Sequence, residues 1–126
     1  MNKTGVTGLG RVWNAMFYSF AGLKSALKHE SAFRQETALA VILIPAAFWL
    51  GSNVIEYSLL VGTVVLVLIV ELLNSAIEAV VDRVGTDRHS LSGRAKDMGS
   101  AAVFLSLLLT LFVWSAVLWT RMQSGA

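Results

Sequence analysis

Tyr57-Ser-Leu-Leu-Val-Gly-Thr-Val-Val-Leu-Val-Leu-Ile-Val70 runs without a charge into Glu71-Leu-Leu-Asn-Ser-Ala-Ile-Glu-Ala-Val-Val-Asp82. The first block is an uncharged aliphatic run, and its apolar character continues between polar positions to Val81. It reads as a helix that crosses a bilayer. At about 100° per residue, Glu71, Asn74, Ser75, Glu78 and Asp82 share one face of that helix, while aliphatic side chains cover the rest. Ionisable groups in such segments are costly to keep and usually mark a functional site.

Two more blocks have the same character. Ala101 to Thr120 carries no charge and meets the requirement of about 20 residues for a span. Thr37 to Leu50 reaches that length when Phe33 is included. With 126 residues, 56% hydrophobic and 14% charged, the chain departs from soluble domains, where about a quarter of residues are charged. The fold class expected is an all-α membrane protein, a single domain over 1–126 with spans at about 33–51, 55–81 and 98–120. No cleavable signal peptide is recognisable at the N-terminus. The lack of cysteine excludes disulfides, thiolate metal ligands and cysteine nucleophiles. A net charge of +2 gives no indication of nucleic acid binding.

Charge placement sets the topology. Lys3, Arg11, Lys24, Lys28 and Arg34 precede the first span, and Arg83, Arg88, Arg94 and Lys96 lie between the second and third. Only Arg121, of the ten basic residues, falls on the other side. This asymmetry predicts a cytoplasmic N-terminus and a cytoplasmic 82–97 loop. Seven of the eight acids, all but Glu56, fall on that same side. The chemistry is therefore expected to face the cytosol.

Before the first span, Val12, Trp13, Met16, Phe17, Phe20, Leu23 and Leu27 recur at helical spacing, opposite Arg11, Asn14, Ser25, Lys28 and His29. Residues 11–29 thus form a basic amphipathic helix, of the kind that lies in a membrane surface or packs against a bundle. Gly5, Gly8 and Gly10 read as a flexible lead-in. Pro45 falls inside the first span, where a local kink is tolerated. Gly51-Ser52-Asn53 makes a tight turn beyond it. Trp49, Trp114 and Trp119 lie near span ends, as an interfacial aromatic belt would.

Depth divides the acidic stripe. Twenty residues from Ile55 reach about Asn74, which puts Glu71 near the inner limit of the hydrocarbon. Glu78 stands roughly 10 Å further along the same face. One carboxylate is placed to take a proton from a lipid hydroxyl, and others to bind a hard cation. Magnesium commonly takes one or two carboxylates together with nucleotide phosphates, and Glu30 is a candidate second ligand. Alternatively, these acids neutralise Arg34, Arg94 or Lys96. The loop residues Asp87, Arg88 and His89 and the run Ser92-Gly-Arg-Ala-Lys-Asp97 suit polyphosphate binding, though any cytoplasmic loop is basic. No Walker A or protein-kinase glycine loop is present. His29 and His89 have no metal-type spacing.

Ala32-Phe-Arg-Gln-Glu36, Glu71-Leu-Leu-Asn-Ser-Ala-Ile-Glu-Ala-Val-Val-Asp-Arg83 and Leu91-Ser-Gly-Arg-Ala-Lys-Asp-Met-Gly-Ser-Ala-Ala-Val103 together resemble the prokaryotic diacylglycerol kinases. The similarity covers nearly the whole chain, including three spans and an N-terminal amphipathic surface helix. It implies transfer of the ATP γ-phosphate to diacylglycerol, with Mg²⁺, at the bacterial inner membrane. A homotrimer with active sites shared between subunits is also implied. Glu71 matches the family's general base, and Glu30 and Glu78 its metal-binding carboxylates. Arg11, Tyr18, Glu30, Glu78, Asp87, Arg88, His89, Lys96 and Asp97 match nucleotide-contacting positions. Arg11, Ala32, Phe33, Arg34, Gln35, Glu36, Glu71, Asn74, Met98 and Ser100 match the lipid-contacting set. Arg88 stands where family members often carry an aromatic, and Ser90 where they often carry an acid.

Two other readings compete. Undecaprenol kinases keep the same fold and change the lipid. A small proton-coupled transporter would also use an intramembrane glutamate, but it would want that group near the bilayer midplane and has little use for the 87–97 segment. Crowding of the acids at one end favours the kinase.

Overall fold

A computed structural model describes residues 8–125, so Lys3 and Gly5 lie outside the described residues. The chain is all-α, with α1 (Gly8–His29), α2 (Ser31–Leu50), α3 (Val54–Val84) and α4 (Ser90–Gln123). The last three are long and apolar enough to cross a membrane. With 31 and 34 residues, α3 and α4 measure roughly 46 and 51 Å and outrun a hydrocarbon core of about 30 Å. Each therefore carries a polar end beyond the apolar layer.

The ends of the helices are held by particular side chains. Only Glu30 interrupts the helical path between α1 and α2, with φ −114° and ψ 108°. Just past it, Arg34 Nη1 donates to the Leu27 and Lys28 carbonyls at 3.0 and 3.1 Å, capping the last turn of α1. A cation at a helix C-terminus also meets the favourable end of the macrodipole. At the opposite end of the bundle, Asn53 Oδ1 accepts from the Glu56 amide at 3.0 Å, and Glu56 Oε1 accepts from the Ser52 amide at 2.9 Å. This reciprocal arrangement starts α3. Arg121, in the last turn of α4, donates to the Trp49 and Leu50 carbonyls at 3.0 and 3.2 Å, with its guanidinium 4.7 Å from the Trp49 ring centre. It caps α2 across space and fastens α4 to it.

Packing makes α3 the hub. It lies against α4 most extensively and against α2 next, while α2 and α4 touch little. Ala47, Leu50, Leu60 and Val117 form the buried core at the Trp49–Arg121 end, with Val61, Val113 and Trp114 around them. Trp114 departs from the aromatic-belt expectation. Its Nε1 donates to the Thr63 hydroxyl at 3.2 Å and the Leu60 carbonyl at 3.3 Å. Thr110 Oγ1 reaches the Thr63 carbonyl at 3.3 Å. These part-buried bonds join α3 to α4, so the indole is an interhelical clasp. Trp49 and Trp119 stay exposed.

Two further expectations are corrected. Gly8 and Gly10 are the first turn of α1, not a loose lead-in. The 82–97 segment is mostly helical: only residues 85–89 connect α3 to α4, and Ser92 to Asp97 wind through the first turns of α4.

α1 turns a face of small residues, Ser19, Gly22 and Ala26, toward Ala76 and Ala79 of α3 across a cavity. Its large apolar residues Trp13, Phe17 and Phe20 are left exposed on the other side. The solvent-accessible area is 9213 Å², whereas a compact soluble chain of this size exposes about 6,600 Å². Much of the excess is aliphatic. On α3, Leu59, Gly62, Ile69, Leu73, Ala76 and Val80 are exposed, with Leu66 half-buried among them. Their alternating spacing of three and four is that of a helix seam in a left-handed bundle.

Candidate active site

Glu71 is buried, at 6% relative exposure, in the middle of a helix that is otherwise aliphatic on its flanks. The charged groups nearest it electrostatically are all acids: Glu36 from α2, Glu78 one face-repeat along α3, and Glu30 from the α1–α2 junction. Each of these three is half-buried. Among the described residues, none of the four makes a direct ion pair with Arg34, Arg94 or Lys96, although the Glu78 charge reaches Lys96. Arg34 spends Nη1 on the carbonyls of α1 instead.

Asn74 sits between Glu71 and Glu78 and organises the stripe. Its Nδ2 donates to Glu78 Oε1 at 3.3 Å, fixing one oxygen of that carboxylate. Its Oδ1 is buried without a hydrogen-bond partner. Gly99 of α4 lies directly against it, and a Cβ at position 99 would collide with Asn74 Oδ1. Glycine there lets α4 approach the amide closely. The same contact borders an apolar groove lined by Leu73, Asn74, Ile77, Met98 and Gly99. Met98 thus lies close to Asn74, while Ser100 is exposed on the next position of α4.

Two cavities with polar groups in their walls flank the stripe. One, of about 520 Å³, lies between α1 and α3 and is lined by Ser19, Ser25, His29, Glu30 and Ser75 among others. The second, of about 780 Å³, lies between the end of α3, the connecting loop and the start of α4. Asp82, Asp87, Arg88, His89, Ser92, Gly93 and Lys96 line it. His89 Nδ1 accepts from the Leu91 amide at 3.1 Å and so caps α4. Lys96 Nζ meets Asp82 Oδ1 at 2.8 Å across the cleft. That hydrogen bond, with the Asp82 charge and then Glu78, raises the Lys96 pKa above the ordinary lysine value.

The expected site residues are thus gathered in part. Asp87, Arg88, His89 and Lys96 share the loop cleft, while Asp97 is exposed on α4 outside its lining. Arg11 is exposed and Tyr18 half-buried on α1, and neither lines that cleft. Phe33 is buried at 3% exposure, whereas Ala32 and Gln35 are exposed. Glu36 forms the single charged wall of a cavity of about 320 Å³ that is otherwise lined by residues such as Leu43, Val67 and Leu111. Sequence reasoning gave Asp82 no role beyond its place on the stripe. The signal was available, since an acid and a base, Asp82 and Lys96, stand on opposite sides of a short connection. It stayed hidden because residues 90–97 read as loop.

The donor chemistry fits a hard divalent cation. The acids around Glu71 are like charges that a bound cation would balance, and Glu78 keeps one oxygen not engaged by Asn74. Among the described residues, no three histidines, aspartates or glutamates are close enough to enclose an ion by themselves. Magnesium shares its coordination with phosphates and water, so one or two of these carboxylates would suffice as its protein ligands.

Comparison with known proteins points the same way. A family model described as prokaryotic diacylglycerol kinase matches residues 17–118. A diacylglycerol kinase of Haemophilus influenzae is 56% identical over 94% of this chain and 98% of its own length. Its counterpart from Pseudomonas aeruginosa is 53% identical over 90% of this chain and 93% of its own. The one from Escherichia coli K12 is 49% identical, covering 91% and 94%.

Proposed function

The chain belongs to the prokaryotic diacylglycerol kinase family, and we propose that it phosphorylates the primary hydroxyl of diacylglycerol with ATP, giving phosphatidic acid. The reaction takes place at the cytoplasmic face of the bacterial inner membrane. Support for that orientation comes from the basic residues gathered at the α1 end and in the α3–α4 connection.

The observation that carries the reading is the buried Glu71, placed at the apolar end of a polar stripe that leads to the loop cleft. Glu71 takes the proton of the lipid hydroxyl as its oxygen bonds to the γ-phosphorus. The bond from that phosphorus to the bridging oxygen breaks, and ADP leaves. Phosphoryl transfer asks mainly for positioning and charge stabilisation. Lys96 and Arg88 hold the nucleotide phosphates in the loop cleft, and Arg11 and Tyr18 contact the nucleotide from α1. Asp87, His89 and Asp97 contact the remainder of the nucleotide. Glu30 and Glu78 would hold magnesium, which would supply neutralisation of the phosphate charge. Asn74 keeps Glu78 oriented. Ala32 to Glu36, Met98 and Ser100 border the lipid.

The enzyme works as a homotrimer with sites shared between neighbours. Support comes from the exposed α3 seam, whose spacing suits packing against copies of itself. It comes also from the aliphatic area that one protomer leaves uncovered.

The test is phosphate transfer from labelled ATP by the purified protein in detergent, with diacylglycerol and undecaprenol side by side. Rapid labelling of diacylglycerol and little of undecaprenol is expected. Preferential labelling of undecaprenol would move the assignment to that lipid, and no lipid-dependent ATP consumption would overturn the kinase reading.

A further inference from the structure

We infer that Asp82 is a positioning residue for the reaction: it holds the Lys96 ammonium across the loop cleft, where the nucleotide phosphates are received. This rests on the kinase reading above. Asp82 lies in the last turns of α3 and Lys96 in the second turn of α4, and their side chains meet at 2.8 Å. Both line the cleft that also holds Arg88 and His89.

The pair is poorly suited to be a stability device. The side chains are 46% and 62% exposed, and exposed ion pairs add little to folding because solvent screens them. The two helices are already joined elsewhere by Trp114 and Thr110. A lysine, however, is a long flexible chain that loses rotamer freedom when it must serve one place. Asp82 removes that freedom before the nucleotide arrives. It also determines where the ammonium rests. Glu78 is the other acid whose charge reaches Lys96, and it stands one turn before Asp82 on the same face of α3. Lys96 is thereby kept between the candidate metal carboxylate and the mouth of the loop cleft. A single carboxylate is a weaker competitor than a polyphosphate, so incoming phosphates share or take over the ammonium.

The test is a double-mutant cycle on the full-length protein in micelles, reading KM for Mg-ATP, KM for diacylglycerol and kcat. Asp82→Asn is expected to raise KM for Mg-ATP on the order of fivefold, the upper range for an exposed pair. KM for the lipid and the thermal midpoint should stay unchanged. Asp82→Glu should recover much of the loss. In a Lys96→Ala background, Asp82→Asn should have no further effect. An unchanged KM for Mg-ATP in Asp82→Asn overturns the inference, as does an equal effect of Asp82→Asn with and without Lys96. A lowered thermal midpoint with all kinetic constants of Asp82→Asn intact also overturns it, since the pair would then be structural. If Lys96→Ala itself leaves KM for Mg-ATP unchanged, the nucleotide assignment of the loop cleft fails first. If Lys96→Ala raises it and Asp82→Asn does not, only the role of Asp82 fails.

Discussion

Asn74 shows how one amide organises several groups. It holds Glu78 with Nδ2 and rests Oδ1 against the backbone of Gly99. A methyl group at position 99 meets the far end of a flexible side chain, so Gly99→Ala should fold but push the amide off Glu78. Loss of a partner that orients a metal-binding group commonly costs about 10- to 100-fold in activity or metal affinity. Gly99→Ala is therefore expected to need more magnesium for half-maximal activity and to lose turnover, with circular dichroism unchanged. Normal magnesium dependence would remove Asn74 as the support of Glu78. The stripe itself was legible in sequence, because acids on one face of an apolar helix stand out by periodicity alone. The closeness of Glu36 and Glu30 to Glu71 was not, because it depends on how α1 and α2 lie against α3. Glu30 was singled out only by its place at the end of the surface helix, and Glu36 only by the family motifs.

At the scale of elements, α3 and α4 were recognisable by their uncharged runs, and their polar extensions were not. Arg88 to Asp97 reads as a loop because charge and Gly93 dominate it. The helix starts there because His89 caps it with a ring nitrogen, a residue outside the usual capping set. Trp114 misled for a related reason. Its position near a span end is equally that of a belt residue, and only the facing Thr63 reveals a buried partner. Interhelical hydrogen bonds in membranes contribute about 0.6 kcal/mol on average. Trp114→Phe should thus destabilise the α3–α4 pair by roughly 1 kcal/mol in detergent unfolding once lost packing is added, with activity near normal. A stability equal to that of the parent would show that the clasp is dispensable.

For the whole molecule, the uneven distribution of packing is informative. The Trp49–Arg121 end is clamped by a small apolar core and a shared arginine cap. The acidic end is open, with cavities on both sides of α3. A rigid anchor away from the chemistry and a loosely packed charged end suit an enzyme that must admit a lipid sideways and a nucleotide from water. The exposed α3 seam belongs to this scale too. Replacing Ile69 and Leu73 together by alanine removes packing surface without adding charge. If the proposed trimer packs through this seam, the expected result is a shift toward monomer by light scattering in detergent, with helicity retained. An unaltered trimer would place the subunit contact elsewhere.

These scales meet at Glu71, where the proposed mechanism brings a lipid hydroxyl and a nucleotide phosphate together. The most direct measurement is labelled phosphatidic acid formation by purified Glu71→Gln protein, assayed with diacylglycerol and Mg-ATP beside the parent chain. The isosteric amide keeps the shape of the site and cannot take the proton. Loss of the general base should slow transfer by about 10²- to 10⁴-fold, with helicity and subunit association unchanged. Turnover close to that of the parent, in protein shown to be folded, would contradict the assignment of Glu71 as the base.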